Sequence, residues 1–131
     1  KFLGVLQVKK LQPSDEGRQG QAALIALATY SELKNIILVD EDVDIFDSDD
    51  ILWAMTTRMQ GDVSITHLPG IRGHQLDPSQ TPDYSPSIRG NGITCKTIFD
   101  CTVPWALKSR FERAPFMEVD PTPWAPELFK K

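Results

Sequence analysis

The chain has 131 residues, 18 acidic against 14 basic, with a formal net charge of −4 and 40% hydrophobic residues. That length holds one domain with a single core, and scattered Lys and Arg on a net-negative chain argue against a nucleic-acid surface, which needs clustered cations. No apolar run approaches the roughly 18–20 residues that cross a bilayer, and no charged-then-apolar leader opens the sequence, so a soluble cytoplasmic protein with no membrane span is expected. The first residue is Lys1 rather than methionine, and a piece of a longer or processed polypeptide is expected on that ground.

Phe2–Val8 is an apolar-biased run that predicts a strand, with Gly4 tolerated where another group approaches closely. Pro13 and Ser14-Asp15-Glu16 then mark a helix start, with Ser14 or Asp15 as N-cap, and the helix is predicted over Asp15–Glu32. Its middle, Ala22–Ala28, is apolar nearly all round, which predicts burial on more than one side. Asn35–Val39 is short, β-branched and apolar, as a strand buried on both faces of a parallel sheet should be. An acidic turn, Asp40–Asp50, leads into Ile51, Leu52, Met55 and Met59 at helical spacing, predicting a helix over Asp49–Gln60 that Gly61 ends. A third parallel strand is predicted at Val63–His67, completing a βαβαβ core over residues 1–68 with the right-handed crossovers usual for such units.

Nine of the ten prolines lie from Pro69 onward, and the chain changes character there. Residues 69–91 read as a long irregular loop, of the kind that serves as a pocket rim or an assembly arm. Ile93–Phe99 returns to strand character, Trp105–Arg110 reads as a short helix with Pro104 at its first position, and the chain from Pro115 onward reads as an extended tail. The whole is expected to be one α/β domain: a mostly parallel sheet built from right-handed βαβ units with helices packed on it, then a Pro-rich irregular region and an extended C-terminal tail.

Cys95 and Cys101 lie in one predicted strand, roughly 20 Å apart at about 3.3 Å per residue, too far for a disulfide. Two buried free thiols are expected, in keeping with a reducing compartment. The acidic turn fails as an EF-hand loop, because Ile45 and Ile51 stand where the loop needs Gly and Glu. A structural role suits it better, with Asp47 or Ser48 capping the next helix and Asp49 and Asp50 facing its dipole. No G-x-S-x-G, P-loop, G-x-G-x-x-G or H-E-x-x-H motif is present. Arg58, Arg72 and Arg89 have the geometry to grip a carboxylate, but surface ion pairs account for them more simply.

The run V-D-E-D-V-D-I-F-D (39–47) followed by I-L-W-A-M-T-T-R (51–58) resembles the C-terminal region of the UbiD family of prenylated-flavin-dependent decarboxylases. S-D-E-G-R-Q (14–19), N-G-I-T-C-K-T-I-F-D-C-T (91–102) and R-F-E-R-A-P-F (110–116) fall in the order shown by the hydroxyaryl-acid members. The resemblance implies that prenylated FMN, a divalent metal, potassium and the catalytic residues belong to an upstream flavin-binding region, with none of them assigned to this chain. It further implies homo-oligomer contacts and a role in closing the pocket for an aromatic acid substrate. The family's pocket wall comes from the strand after the W-A-x-x-T-R helix and the strand before the D-x-T turn, here Thr66, His67, Leu68, Phe99 and Thr102. Two alternatives remain: a stand-alone α/β assembly or protein-binding module, and a receiver-like domain using Thr66 and Lys96. The receiver pattern lacks its second acidic strand end, because the first strand closes in Lys9-Lys10.

Overall fold

The computed structural model describes residues 2–84, 90–114, 119–120 and 122–124. Four strands form one sheet: β1 (Leu3–Val8), β2 (Asn35–Asp40), β3 (Ile65–Arg72) and β4 (Ile93–Cys101), in the spatial order β1-β2-β4-β3. β1, β2 and β4 are mutually parallel, in register Leu3↔Asn35↔Thr97, and β3 pairs antiparallel with β4. Helix α1 (Arg18–Thr29) joins β1 to β2, and α2 (Ser48–Arg58) follows β2.

The β1-α1-β2 crossover is as the apolar pattern predicts. The third parallel strand, however, is β4 and not the segment at Val63–His67, which belongs to the antiparallel edge strand. The cause lies in α2, which does not carry the chain back to the amino ends of the strands. Its last residue, Arg58, bonds Asp40 at the carboxyl end of β2, and the Asp100 amide donates to the Ser64 carbonyl at 2.8 Å. β3 therefore starts at the carboxyl edge and can only run the opposite way. It continues through Pro69 to Arg72, with the register shift between Leu68 and Ile71 absorbed around Gly70, at φ +77°. Proline is tolerated there because edge strands have an unpaired side.

The two sheet faces carry separate cores. Ala23, Leu27, Ile36, Leu38 and Ile98 pack beneath α1, joined by Leu6, Leu33 and Leu68. On the other face, Ile37, Val39, Val43, Ala54 and Cys101 pack with Ile51, Trp53, Met55 and Phe99. Withdrawing side chains such as Ile36 and Leu38 fully from water contributes about 1.5–3 kcal/mol each. Gly4 has the close neighbour its place in a strand calls for, since a Cβ there would lie 3.2 Å from Leu33 Cδ2.

Four local expectations are corrected. The first helix starts at Arg18, because Pro13–Asp15 forms a 3₁₀ turn in which Asp15 accepts from the Leu11 and Gln12 amides, and Gly17 at φ +91° then redirects the chain. Ala22–Ala28 is buried on one side only: Ala23 and Leu27 face the sheet, whereas Leu24 and Ile25 are exposed. Cys95 is exposed and only Cys101 is buried, both as free thiols: the two share one face of β4, but the α2-side core covers the Cys101 end and does not reach the Cys95 end. In α2, Leu52 likewise points outward while Ala54 is enclosed.

The excursion after β3 is tied at its base by Gly73 N–H to the Gly92 carbonyl at 2.9 Å and by Lys34 to buried Asp77 at 2.8 Å. Trp105–Arg110 forms a 3₁₀ helix. Arg89 and most of the predicted tail lie outside the described residues. No described helix is long and apolar enough to cross a membrane.

Candidate functional site

In open α/β sheets ligands gather at the carboxyl ends of the strands, and buried Lys10, Asp40 and Thr102 lie at that edge of this sheet. β2 delivers Asp40 to that edge, buried, with Oδ2 accepting from the Val103 amide at 2.8 Å and from Arg58 Nη1 at 3.1 Å. Burial pushes the Asp40 carboxyl upward from its ordinary value, outweighing the Val103 amide and the Arg58 charge. Arg58 also lays both terminal nitrogens on Asp42, at 2.8 and 2.6 Å, and this fork holds Asp42 below its ordinary value. The Arg58 side chain is 2% exposed, so it is a buried clamp and not the surface ion pair expected from its residue type. Trp53 carries the Arg58 guanidinium 4.8 Å from its ring centroid and that of Arg113 at 3.9 Å, and Arg113 also bonds Asp50. Asp47 caps α2 as its position predicts, accepting from the Asp49 amide at 2.9 Å.

Beside this clamp, buried Lys10 donates to Glu16 Oε1, Thr102 Oγ1 and the Val103 carbonyl at 2.8, 3.1 and 3.0 Å. The Thr102 hydroxyl donates in turn to Asp100 at 2.6 Å, and Gln19 bridges Asp100 and Glu16. The Trp105 amide donates to the second Glu16 oxygen at 2.8 Å. These bonds bind three chain segments into one rigid carboxyl edge. Between Asp40, Arg58, Trp105, Lys108, Phe111 and Arg113 opens a cleft of ≈ 610 Å³. Its residues come from segments far apart in sequence, and only the near-invariable pairing need of a buried arginine could have signalled it.

The five residues considered for a pocket wall do not converge on one place. Thr66 pairs with Ile98 and Leu68 with Lys96, so both lie on the α1 face. His67 pairs with Thr97, and Phe99 with Ile65, on the opposite face. Thr102 sits beyond the end of β4 in the Lys10 network. α2 packs on Phe99 but leaves the row Leu3, Asn35, Thr97 and His67 open, with Leu3 and His67 exposed. His67 and Phe99 are thus the two candidates brought together.

Among the described residues, no grouping of three or more His, Cys, Asp or Glu side chains is placed to hold a metal ion. His74 instead faces the Phe2 ring and Glu32. Burial, with the Asp100 charge beside it, pushes the Cys101 thiol up to about 11, leaving it a packing group. The Lys96 ammonium donates to the Leu27 and Ser31 carbonyls at the end of α1, at 3.3 and 3.0 Å. It is therefore unable to serve a receiver-like phosphorylation site at the carboxyl edge.

The profile of the 3-octaprenyl-4-hydroxybenzoate carboxy-lyase C-terminal domain family matches residues 1–101. The gallate decarboxylase of Lactiplantibacillus plantarum is 51% identical over 120 residues, covering 91% of this chain and 24% of that protein. The apo structure of 3,4-dihydroxybenzoic acid decarboxylase from Enterobacter cloacae is 94% identical with a TM-score of 0.86, covering 98% of this chain and 26% of that one. The UbiD-class enzyme HmfF from Pelotomaculum thermopropionicum, solved in complex with FMN, is 30% identical with a TM-score of 0.73, over 88% of this chain and 23% of that one. The chain thus spans about a quarter of the length of the relatives it matches.

Proposed function

This chain belongs to the UbiD C-terminal domain family, and from that premise we propose that it serves as the C-terminal domain of an aromatic- or hydroxyaromatic-acid decarboxylase, closing one side of the substrate pocket and mediating subunit assembly. The substrate class is supported by the two relatives named for gallate and 3,4-dihydroxybenzoate. The flavin is supported by HmfF and its FMN, and the prenylated form, the divalent metal and potassium follow from the family resemblance. Among the described residues no cluster of His, Cys, Asp or Glu is placed to hold a metal ion, and the flavin, metal and potassium are assigned to the upstream flavin-binding region. The partners are that region, further copies of the enzyme and the aromatic acid.

The observation that carries the pocket role is the half-covered sheet face, where exposed His67 stands beside the Phe99 row and α2 stops short. That face is the wall offered to substrate, with His67 as its polar group and Phe99 as its apolar one. Thr66, Leu68 and Thr102 then support the wall from behind or from its end.

The test compares the isolated chain with the intact enzyme, each supplied with prenylated flavin, in a carbon dioxide release assay. The isolated chain is expected to be inert, and His67→Ala in the intact enzyme is expected to raise KM or lower kcat for the hydroxyaromatic acid. Turnover by the chain alone would place the chemistry within it. An unchanged His67→Ala enzyme would remove this face from the pocket.

A further inference from the structure

The open part of the α2-side sheet face carries a polar row. Side chains alternate between the faces of a strand, so Asn35 shares a face with Ile37 and Val39, and Thr97 shares it with Phe99 and Cys101. Register sets the row side by side: Leu3 pairs with Asn35, Asn35 with Thr97 and Thr97 with His67. The next row along is Val5, Ile37, Phe99 and Ile65, apolar throughout, with Val5, Ile37 and Phe99 packed in the α2-side core. The polar row therefore begins where the cover of the helix ends.

Asn35 and Thr97 are partly buried and His67 is exposed, and no hydrogen bond among the described residues engages any of the three side chains. Asparagine is disfavoured in strands, yet Asn35 heads a strand that is otherwise apolar up to Asp40. A side-chain amide offers two donors and an acceptor, a threonine hydroxyl donates and accepts, and so does a neutral imidazole. Neighbouring strands lie about 4.8 Å apart, so a hydroxyl between two of these side chains can donate to one and accept from the other. The row from Asn35 to His67 spans two strand spacings, about 10 Å, which matches a benzoate ring with its substituents. We propose that Asn35 and Thr97 act with His67 as the row that selects the aromatic acid by its ring hydroxyls, and so determine specificity. This rests on the pocket reading above and deepens it by assigning the groups that distinguish a hydroxylated ring from a bare one.

Steady-state kinetics of the intact enzyme loaded with prenylated flavin test it, with 3,4-dihydroxybenzoate as substrate and benzoate as a competitive inhibitor lacking the hydroxyls. Thr97→Val and Asn35→Leu keep the side-chain volume nearly constant and remove the hydrogen bonds. Each is expected to raise KM about tenfold, the worth of one hydrogen bond, while kcat and the inhibition constant of benzoate change by less than about twofold. Thr97→Ser restores a hydroxyl and is expected to restore the wild-type KM, which a packing role for Thr97 would not produce. Equal weakening of benzoate and 3,4-dihydroxybenzoate would mean that these side chains shape the wall without sensing hydroxyls, and overturns the proposal. Wild-type KM in both Thr97→Val and Asn35→Leu, with His67→Ala still impaired, overturns the row and leaves the pocket reading standing. Wild-type kinetics in all three variants overturn both.

Discussion

Arg58 lays both terminal nitrogens of its guanidinium on the two oxygens of Asp42, at 2.8 and 2.6 Å, with its own side chain only 2% exposed. The same group reaches buried Asp40, so one cation neutralises two carboxylates at the end of β2. Arg58→Met leaves Asp40 buried without its counter-charge, and a cost of about 3–5 kcal/mol is expected. Urea denaturation at neutral pH measures it. A loss below about 1 kcal/mol would mean that the clamp is incidental.

Asp40→Asn gives a pH-dependent comparison. The folded-state pKa of Asp40 is raised, so between 3.8 and that raised value the native protein binds more protons than the unfolded chain. Ionisation of Asp40 therefore subtracts stability as pH rises through this window, whereas Asn is insensitive to it. The stability difference between wild type and variant is expected to be greatest below pH 3.8 and smaller at neutral pH. Paired urea titrations across the acid range decide the sign, and an opposite trend would show that the Arg58 charge outweighs burial.

Lys96 is 2% exposed and spans from β4 to the end of α1. Lys96→Ala removes both hydrogen bonds and leaves a cavity, for an expected loss of about 2–5 kcal/mol. Lys96→Met fills the space and loses only the bonds, at about 1–2 kcal/mol. Equal melting temperatures for the two variants would deny the cavity contribution.

The two apolar sides of α1 are expected to respond differently. Leu27→Ala, beneath the helix, should cost about 2–5 kcal/mol. Ile25→Asn, on the exposed side, should change the stability of the chain by no more than about 0.5 kcal/mol. A large loss from Ile25→Asn at concentrations where the chain is monomeric would place that side chain in the core after all.

The elements legible from residue pattern are those with local causes: the β1-α1-β2 crossover from its apolar runs, and the α2 start from Asp47. The orientation of β3 was not, because it depends on where α2 ends relative to Asp40, a tertiary fact held by Arg58. Nor does an apolar stretch such as Ala22–Ala28 say whether its second side meets its own chain or another surface. The Asp40–Arg58 cleft draws on residues 40–42, 58 and 103–113, and no local spacing links those segments. The D-x-T turn was legible as a motif, but its partnership with Lys10 joins residues 92 positions apart.

The irregularity at Pro69 and Gly70 bears on aggregation. An unpaired strand border is a template for a further strand, and proline and bulges spoil such templates. β3 interrupts its pairing between Leu68 and Ile71 and lacks an amide hydrogen at Pro69, so it is a poor seed. β1, at the other border, has no such interruption in its register with β2. Within the described sheet, recruitment of a further strand is therefore disfavoured at the β3 border and less so at the β1 border, which disfavours open-ended growth in both directions.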